Sequence, residues 1–183
     1  KHFSIGRIES IKDRVITVNG VSKGFAMTGW RVGFIGAPLW IAKACNKIQG
    51  QVTSATCAIA QKATEEAMKA EPKSVTNNMK NSFLNRRDLL LEKLSEINGV
   101  KCNIPDGAFY IFPDMSYFHG KTDGKIKINN SDDLCMYLLN SCYVALVSGA
   151  PFGNPECVRI SYAASEEKLI EAVKRIKIQL EKL

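Results

Sequence analysis

The stretch 20–33, "GVSKGFAMTGWRVG", holds residues whose types could do chemistry together. Lys23 sits among Val21, Gly24, Phe25 and Ala26. An ammonium in apolar surroundings loses hydration, so its neutral amine becomes available as a nucleophile. Such an amine is what a Schiff base with an aldehyde requires. Arg31 carries a planar fork that suits a phosphate bidentately, and Ser22 could add a hydroxyl donor. An amine for an aldehyde and a guanidinium for a phosphate fit two ends of one molecule. Spacing alone leaves a second reading open, in which Lys23 and Arg31 are ordinary surface charges beside a turn.

Those side chains need a strand, a turn and a second strand to place them. "RVITVNG" (14–20) is rich in β-branched residues and ends in Asn-Gly, which predicts a strand running into a turn. "WRVGFIGA" (30–37) reads as a second strand with Gly at close-packing points. Pro38 is placed to begin a helix that Gly50 would close. Another helix is expected over 55–70, with Ile59, Ala63 and Ala67 on one face, until Pro72 breaks it. Val75, Met79, Phe83, Leu90, Leu94 and Ile97 then recur at helical spacing, which predicts one long amphipathic helix over 73–97.

After Gly99 the texture changes. Short strands are expected at 100–104, 108–113, 143–147 and 157–163, alternating with helices at 131–141 and 165–182. That pattern is a small α+β domain with helices over a mainly antiparallel sheet. Ser131 and Ser165 stand at the N-cap positions, with Asp132, Asp133, Glu166 and Glu167 in the first turns. Leu169, Val173, Ile176, Leu180 and Leu183 share one face of the last helix. Residues 114–130, with Gly120 and Gly124, read as an exposed loop.

"SKGFAMTGWRVG" resembles the pyridoxal-phosphate attachment signature of class-I aminotransferases. There, Ser-Lys is followed by small and apolar residues and then by Gly-x-Arg-x-Gly, and Ser22, Lys23, Gly29, Arg31 and Gly33 fall at matching offsets. The Ala-Met-Thr-Gly-Trp-Arg run is similar to the aspartate aminotransferase-like branch. "CVRISYAAS" (157–165) resembles the family's C-terminal segment, whose Arg binds the substrate's α-carboxylate; here that residue is Arg159. Strand alternation puts Val158, Ile160 and Tyr162 on one face and Arg159, Ser161 and Ala163 on the other. A fixed guanidinium in a cleft is a sound carboxylate clamp. "PDGAFYIFPD" (105–114) resembles a strand entry that lines the substrate side of the cleft, which makes Phe109 and Tyr110 candidate pocket residues, with core packing as the alternative. "SGAPFG" (148–153) resembles the loop leading to the Arg strand.

The resemblance implies an α/β protein of the fold-type I PLP-dependent transferases, in part. Residues 1–72 would be the C-terminal part of the large α/β/α cofactor domain, 73–99 a long interdomain helix, and 100–183 the small C-terminal α+β domain. In this family the groups that hold the pyridine ring, and some that hold the phosphate, precede the Lys by long stretches. The chain is therefore expected to be the C-terminal half of such an enzyme, to expose sheet edges and core surface, and to bind pyridoxal phosphate poorly alone. The implied function is transfer of an amino group between an L-amino acid, aspartate foremost, and a 2-oxo acid such as 2-oxoglutarate. Lys23 would form the Schiff base with pyridoxal 5'-phosphate and carry the proton, Arg31 and Ser22 would anchor the phosphate, and Arg159 with Phe109 would bind substrate. Aromatic, alanine or prephenate aminotransferases, a decarboxylase or lyase on the same fold, and a non-catalytic truncated fragment or interaction module are the alternatives. A homodimer is expected of the full-length protein.

Composition narrows the partners. The chain is 45% apolar with no stretch near ~20 consecutive apolar residues, which excludes a membrane-spanning helix. With no signal-peptide pattern either, a cytoplasmic location is expected. The net charge of +7 fits Lys-rich helix faces or an anionic small molecule, and the spread of the lysines argues against nucleic acid. Six cysteines without a CxxC pair predict reduced, buried thiols and no metal site. His2 and His119 are isolated and expected at the surface.

Overall fold

The structure is a computed structural model that describes residues 2–70 and 72–183, and at 72–75 the backbone alone. Tertiary contacts divide the chain into two compact units, residues 1–78 and 79–183.

The first unit is built on a two-stranded antiparallel sheet. Strand β1 (Thr17–Gly20) pairs with β2 (Gly33–Gly36) in the register Thr17↔Gly36 through Gly20↔Gly33. Gly20 closes β1 in a tight place, where a Cβ would lie 3.1 Å from the carbonyl oxygen of Val32. The strand starts later than the β-branched run suggests. Two 3-10 turns, Ile5–Arg7 and Glu9–Arg14, occupy the residues before it and take Arg14 out of the sheet. On the other side, a 3-10 turn at Thr28–Trp30 and a left-handed Arg31 delay β2 to Gly33.

Helix α1 (Leu39–Val52) follows Pro38, which caps it with an extended backbone and has no N–H to leave unsatisfied. Gly50 does not end this helix. An interior glycine costs only about 1 kcal/mol, and the chain stops instead at Thr53, whose N–H returns to the Gln49 carbonyl at 2.9 Å. Helix α2 (Ala58–Lys69) comes next, and Pro72 opens helix α3 (Pro72–Ser95) at its first position. Val75 lies outside the residues whose side chains are described.

The second unit has a three-stranded antiparallel sheet in the order β3-β5-β4, from β3 (Tyr110–Ile111), β4 (Val147–Ser148) and β5 (Val158–Ser161). Pairing is shorter than the expected strands: the 100–104 strand contributes a single bridge, Lys101↔Asp114. Helices α4 (Ser131–Cys142) and α5 (Glu166–Leu180) cover the sheet's apolar side, where nineteen buried residues form one cluster. Leu90 and Leu94 of α3, Val158 and Ile160 of β5, Tyr162 just after it, and Leu169, Val173, Ile176 and Leu180 of α5 all belong to it. Buried Tyr137 and Gln179 latch α4 to α5, with Gln179 Nε2 donating to the Tyr137 hydroxyl at 2.7 Å.

Ser165 caps α5 as expected, accepting from Lys168 N. At α4 the cap is Asn130, which accepts from Asp133 N at 2.9 Å. Ser131 instead turns inward, and its hydroxyl meets that of Ser148 at 2.9 Å. The 114–130 segment is only partly a loop. Met115, Phe118 and Ile128 are buried, and a tight turn with a left-handed Gly124 closes between Thr122 and Lys127. His119, within it, is half-buried rather than at the surface, and its Nε2 has no hydrogen-bond partner among the described residues. The cysteines are free, but only Cys135 and Cys157 are buried; Cys45 of α1 and Cys57, just before α2, are exposed.

Candidate active site

The connection between β1 and β2, residues 21–32, carries Ser22, Lys23 and Arg31. It is a closed loop: Val21 N donates to the Val32 carbonyl at 3.4 Å, beyond the point where the sheet ends. Val21 and Val32 are buried together with Ala60 of α2, and Phe25 and Met27 pack against them. Val21, Val32, Phe25 and Met27 of "GVSKGFAMTGWRVG" therefore turn inward, while Ala26 and Trp30 stay exposed. Ser22 is half-buried, while Lys23 and Arg31 are exposed. Lys23 is exposed, while its neighbours Val21 and Phe25 pack into the small core, so the apolar enclosure expected around it is not seen within this unit.

The loop's backbone is strained where it matters. Ala26 (φ 53) and Arg31 (φ 56) are non-glycine residues in the left-handed region, a placement that costs about 1–2 kcal/mol each and persists only where surrounding structure enforces it. Arg31 is steadied by its own Nη1, which donates to the Thr28 carbonyl at 2.8 Å. The remaining N–H groups of its fork point to no other partner among the described residues. The donor set suits pyridoxal phosphate: a primary amine that can meet an aldehyde and a guanidinium that can meet a phosphate, both delivered by one loop pinned at both ends.

Arg159 belongs to the second unit. The burial pattern of β5 follows the expected alternation, with Val158 and Ile160 buried and Arg159 half-exposed on the other face. Its guanidinium carbon lies 4.4 Å from the ring centroid of Tyr110 and 4.4 Å from that of Phe152. Phe109 is placed differently from its neighbour. Its ring is half-buried against the apolar cluster, 6.1 Å from Phe83, so Tyr110 and not Phe109 is brought to Arg159. Phe152 was not singled out by sequence reasoning; the signal available was its place in "SGAPFG", just before the Arg strand.

The sequence profile of the family described as "Aminotransferase class I and II" matches residues 3–176. The chain belongs to the class I and II aminotransferases. A bifunctional aspartate aminotransferase and glutamate/aspartate-prephenate aminotransferase of Petunia hybrida is 49% identical over 179 residues, 96% of this chain and 37% of that protein. An aspartate aminotransferase of Pinus pinaster is 42% identical over 98% of this chain and 37% of its own length. Among solved structures, an aspartate aminotransferase from Rhizobium meliloti superposes with a TM-score of 0.94 at 40% identity, covering 100% of this chain and 46% of that one. An aromatic aminotransferase from Pyrococcus horikoshii gives 0.88 at 37% identity, covering 99% and 46%. The chain thus spans less than half the length of these relatives. Its architecture is part of the α/β fold-type I shared by the PLP-dependent aminotransferases, and the family's cofactor is pyridoxal 5'-phosphate.

Proposed function

We propose that the protein containing this chain is an aminotransferase that moves an amino group between L-aspartate and a 2-oxo acid such as 2-oxoglutarate. The observation that carries the reading is the closed 21–32 loop, which presents Lys23 and Arg31 outward from a pinned base of Val21, Val32 and Ala60. Pyridoxal phosphate, when bound, supplies an aldehyde and an electron sink. Lys23 attaches the cofactor and carries the proton at the substrate Cα, as base when it takes it and as acid when it returns it. Arg31 holds the phosphate, with Ser22 as a further donor. Arg159 takes the substrate's α-carboxylate, and a homodimer is the assembly we assign to the full-length protein. The six free cysteines suit a reducing, cytoplasmic setting.

The relatives' names favour aspartate and keep prephenate and aromatic amino acids as the nearest substitutes. An amino-donor screen on the complete enzyme decides among them. In that enzyme, Lys23→Ala is expected to abolish aspartate turnover and covalent retention of the cofactor, read as a mass increment after borohydride reduction. Turnover that survives the substitution overturns the assignment of Lys23. The chain alone is expected to hold the cofactor poorly, because large apolar side chains of the first unit, Val18, Ile35 and Trp40 among them, are exposed. Tight cofactor binding by the 183 residues, seen by absorbance, would overturn that.

A further inference from the structure

Arg159 stands where the rings of the second unit converge. Tyr110 comes from β3, which pairs with β5 as Tyr110↔Ser161, and Phe152 comes from the 3-10 turn Ala150–Phe152 that follows β4, on the other side of β5. Each neighbouring strand thus delivers one ring to the arginine of the central strand, at the same 4.4 Å. The rings are held in turn. Tyr110 lies 4.3 Å from Phe109, which lies 6.1 Å from Phe83 of α3, and Phe152 meets Phe112 edge-on at 6.4 Å and 89°. The turn behind Phe152 is fixed by backbone. Gly149 N donates to the Cys157 carbonyl at 2.8 Å, and a Cβ on Gly149 would fall 2.3 Å from the Asn154 oxygen and 2.4 Å from the Cys157 oxygen.

Aromatic faces attract a guanidinium without using its N–H donors. A rotamer-rich side chain that is already ordered loses less on binding than one that must be ordered by its ligand. Among the described residues the Arg159 guanidinium meets these two rings and no carboxylate. We propose that Tyr110 and Phe152 are positioning residues that hold the Arg159 fork in its binding orientation before a ligand arrives, leaving its N–H edge for a carboxylate. This rests on the assignment of Arg159 to the substrate carboxylate.

The test uses the complete protein that contains this chain, with 15N-labelled arginine and acetate as the probe. The Nε–H resonance of Arg159, assigned by its loss in Arg159→Lys, is expected upfield of the other arginines through ring currents, and acetate is expected to move it. Tyr110→Leu and Phe152→Leu each shift that resonance downfield and weaken acetate binding, by roughly two- to tenfold, while Tyr110→Phe retains both properties. Tyr110→Phe also controls for folding, since it keeps the ring and loses only a hydroxyl. An Arg159 resonance unchanged by the Leu variants, or acetate affinity unchanged by them, overturns the positioning role and leaves the carboxylate assignment standing. A ring-shifted Arg159 that does not respond to acetate in the unsubstituted protein overturns the carboxylate assignment, and the proposal with it.

Discussion

Residues 79–183 bury a nineteen-residue apolar cluster under two helices, while residues 1–78 bury Val21, Val32 and Ala60 among the described residues. The contrast is not one of composition. The first unit has apolar side chains in plenty, but Val18 is 75% exposed, Trp40 71% and Ile59 75%. A two-stranded sheet with two helices cannot close a core by itself, because a sheet so narrow has one face to give each layer and no third strand to widen it. The second unit's sheet has only one strand more, yet α4, α5 and the end of α3 all turn their apolar stripes onto it. Each unit also carries its functional residues differently. Lys23 and Arg31 ride on a strained loop above a minimal core, whereas Arg159 stands on the central strand of a well-filled one.

The strongest way to break this comparison is to damage the larger core and watch both units. Leu94 is fully buried, and Leu94→Ala is expected to cost about 2–5 kcal/mol in urea unfolding followed by methyl NMR of the second unit. The chain's two tryptophans, Trp30 and Trp40, both lie in the first unit and are both exposed, so tryptophan emission reports that unit alone. It is expected to change gradually with urea and to be indifferent to Leu94→Ala. A cost below about 1 kcal/mol, or one cooperative transition shared by both probes, would show that the units do not differ in the way their burial says.

What was legible in the sequence follows the same division of local from non-local information. The Asn-Gly after a β-branched run, the 3.6-residue stripe of α5 and the alternation around Arg159 are local patterns, and each is found in the structure. Boundaries set by competition between neighbours were not legible. Arg14 lies in a 3-10 turn, Gly50 lies inside a helix, and Asn130 displaces Ser131 as the cap because Ser131 has a buried partner seventeen residues away. The aromatic flanks of Arg159 were hidden for a related reason. They depend on which strands pair with β5, which no local spacing encodes. The exposure of Lys23 was one of two readings its spacing left open, and the choice between them was not local, because the inward turn of Val21 and Val32 depends on Ala60 in α2.

A smaller effect sharpens the picture of the second unit. Asn130→Ala removes the side-chain acceptor for Asp133 N at the start of α4 and is expected to cost about 1 kcal/mol, while Asn130→Ser, which keeps an acceptor, is expected to cost much less. Ser131→Ala tests the alternative cap directly. Its penalty should come from taking away the Ser131 partner of the Ser148 hydroxyl, which keeps only its acceptance from Ala150 N, and hydrogen exchange at Asp133 N should stay slow. Fast exchange there in Ser131→Ala, with none in Asn130→Ala, would return the cap to Ser131.

The smallest expected change in stability comes from the first unit, and its size is the point. Trp40 lies in the first turn of α1 with most of its ring in solvent, so Trp40→Gln removes little that the folded chain has buried. Stability is expected to move by less than about 0.5 kcal/mol, as for a surface position with no special contact. Self-association should move more. Exposed large apolar side chains such as Leu39 and Trp40 drive non-specific contact between copies, and removing the Trp40 ring is expected to lower the apparent mass of the isolated chain in sedimentation at high concentration. If Trp40→Gln instead destabilises the chain by 1 kcal/mol or more, the ring is buried in the working molecule, and the first unit has a core that the contrast denies it.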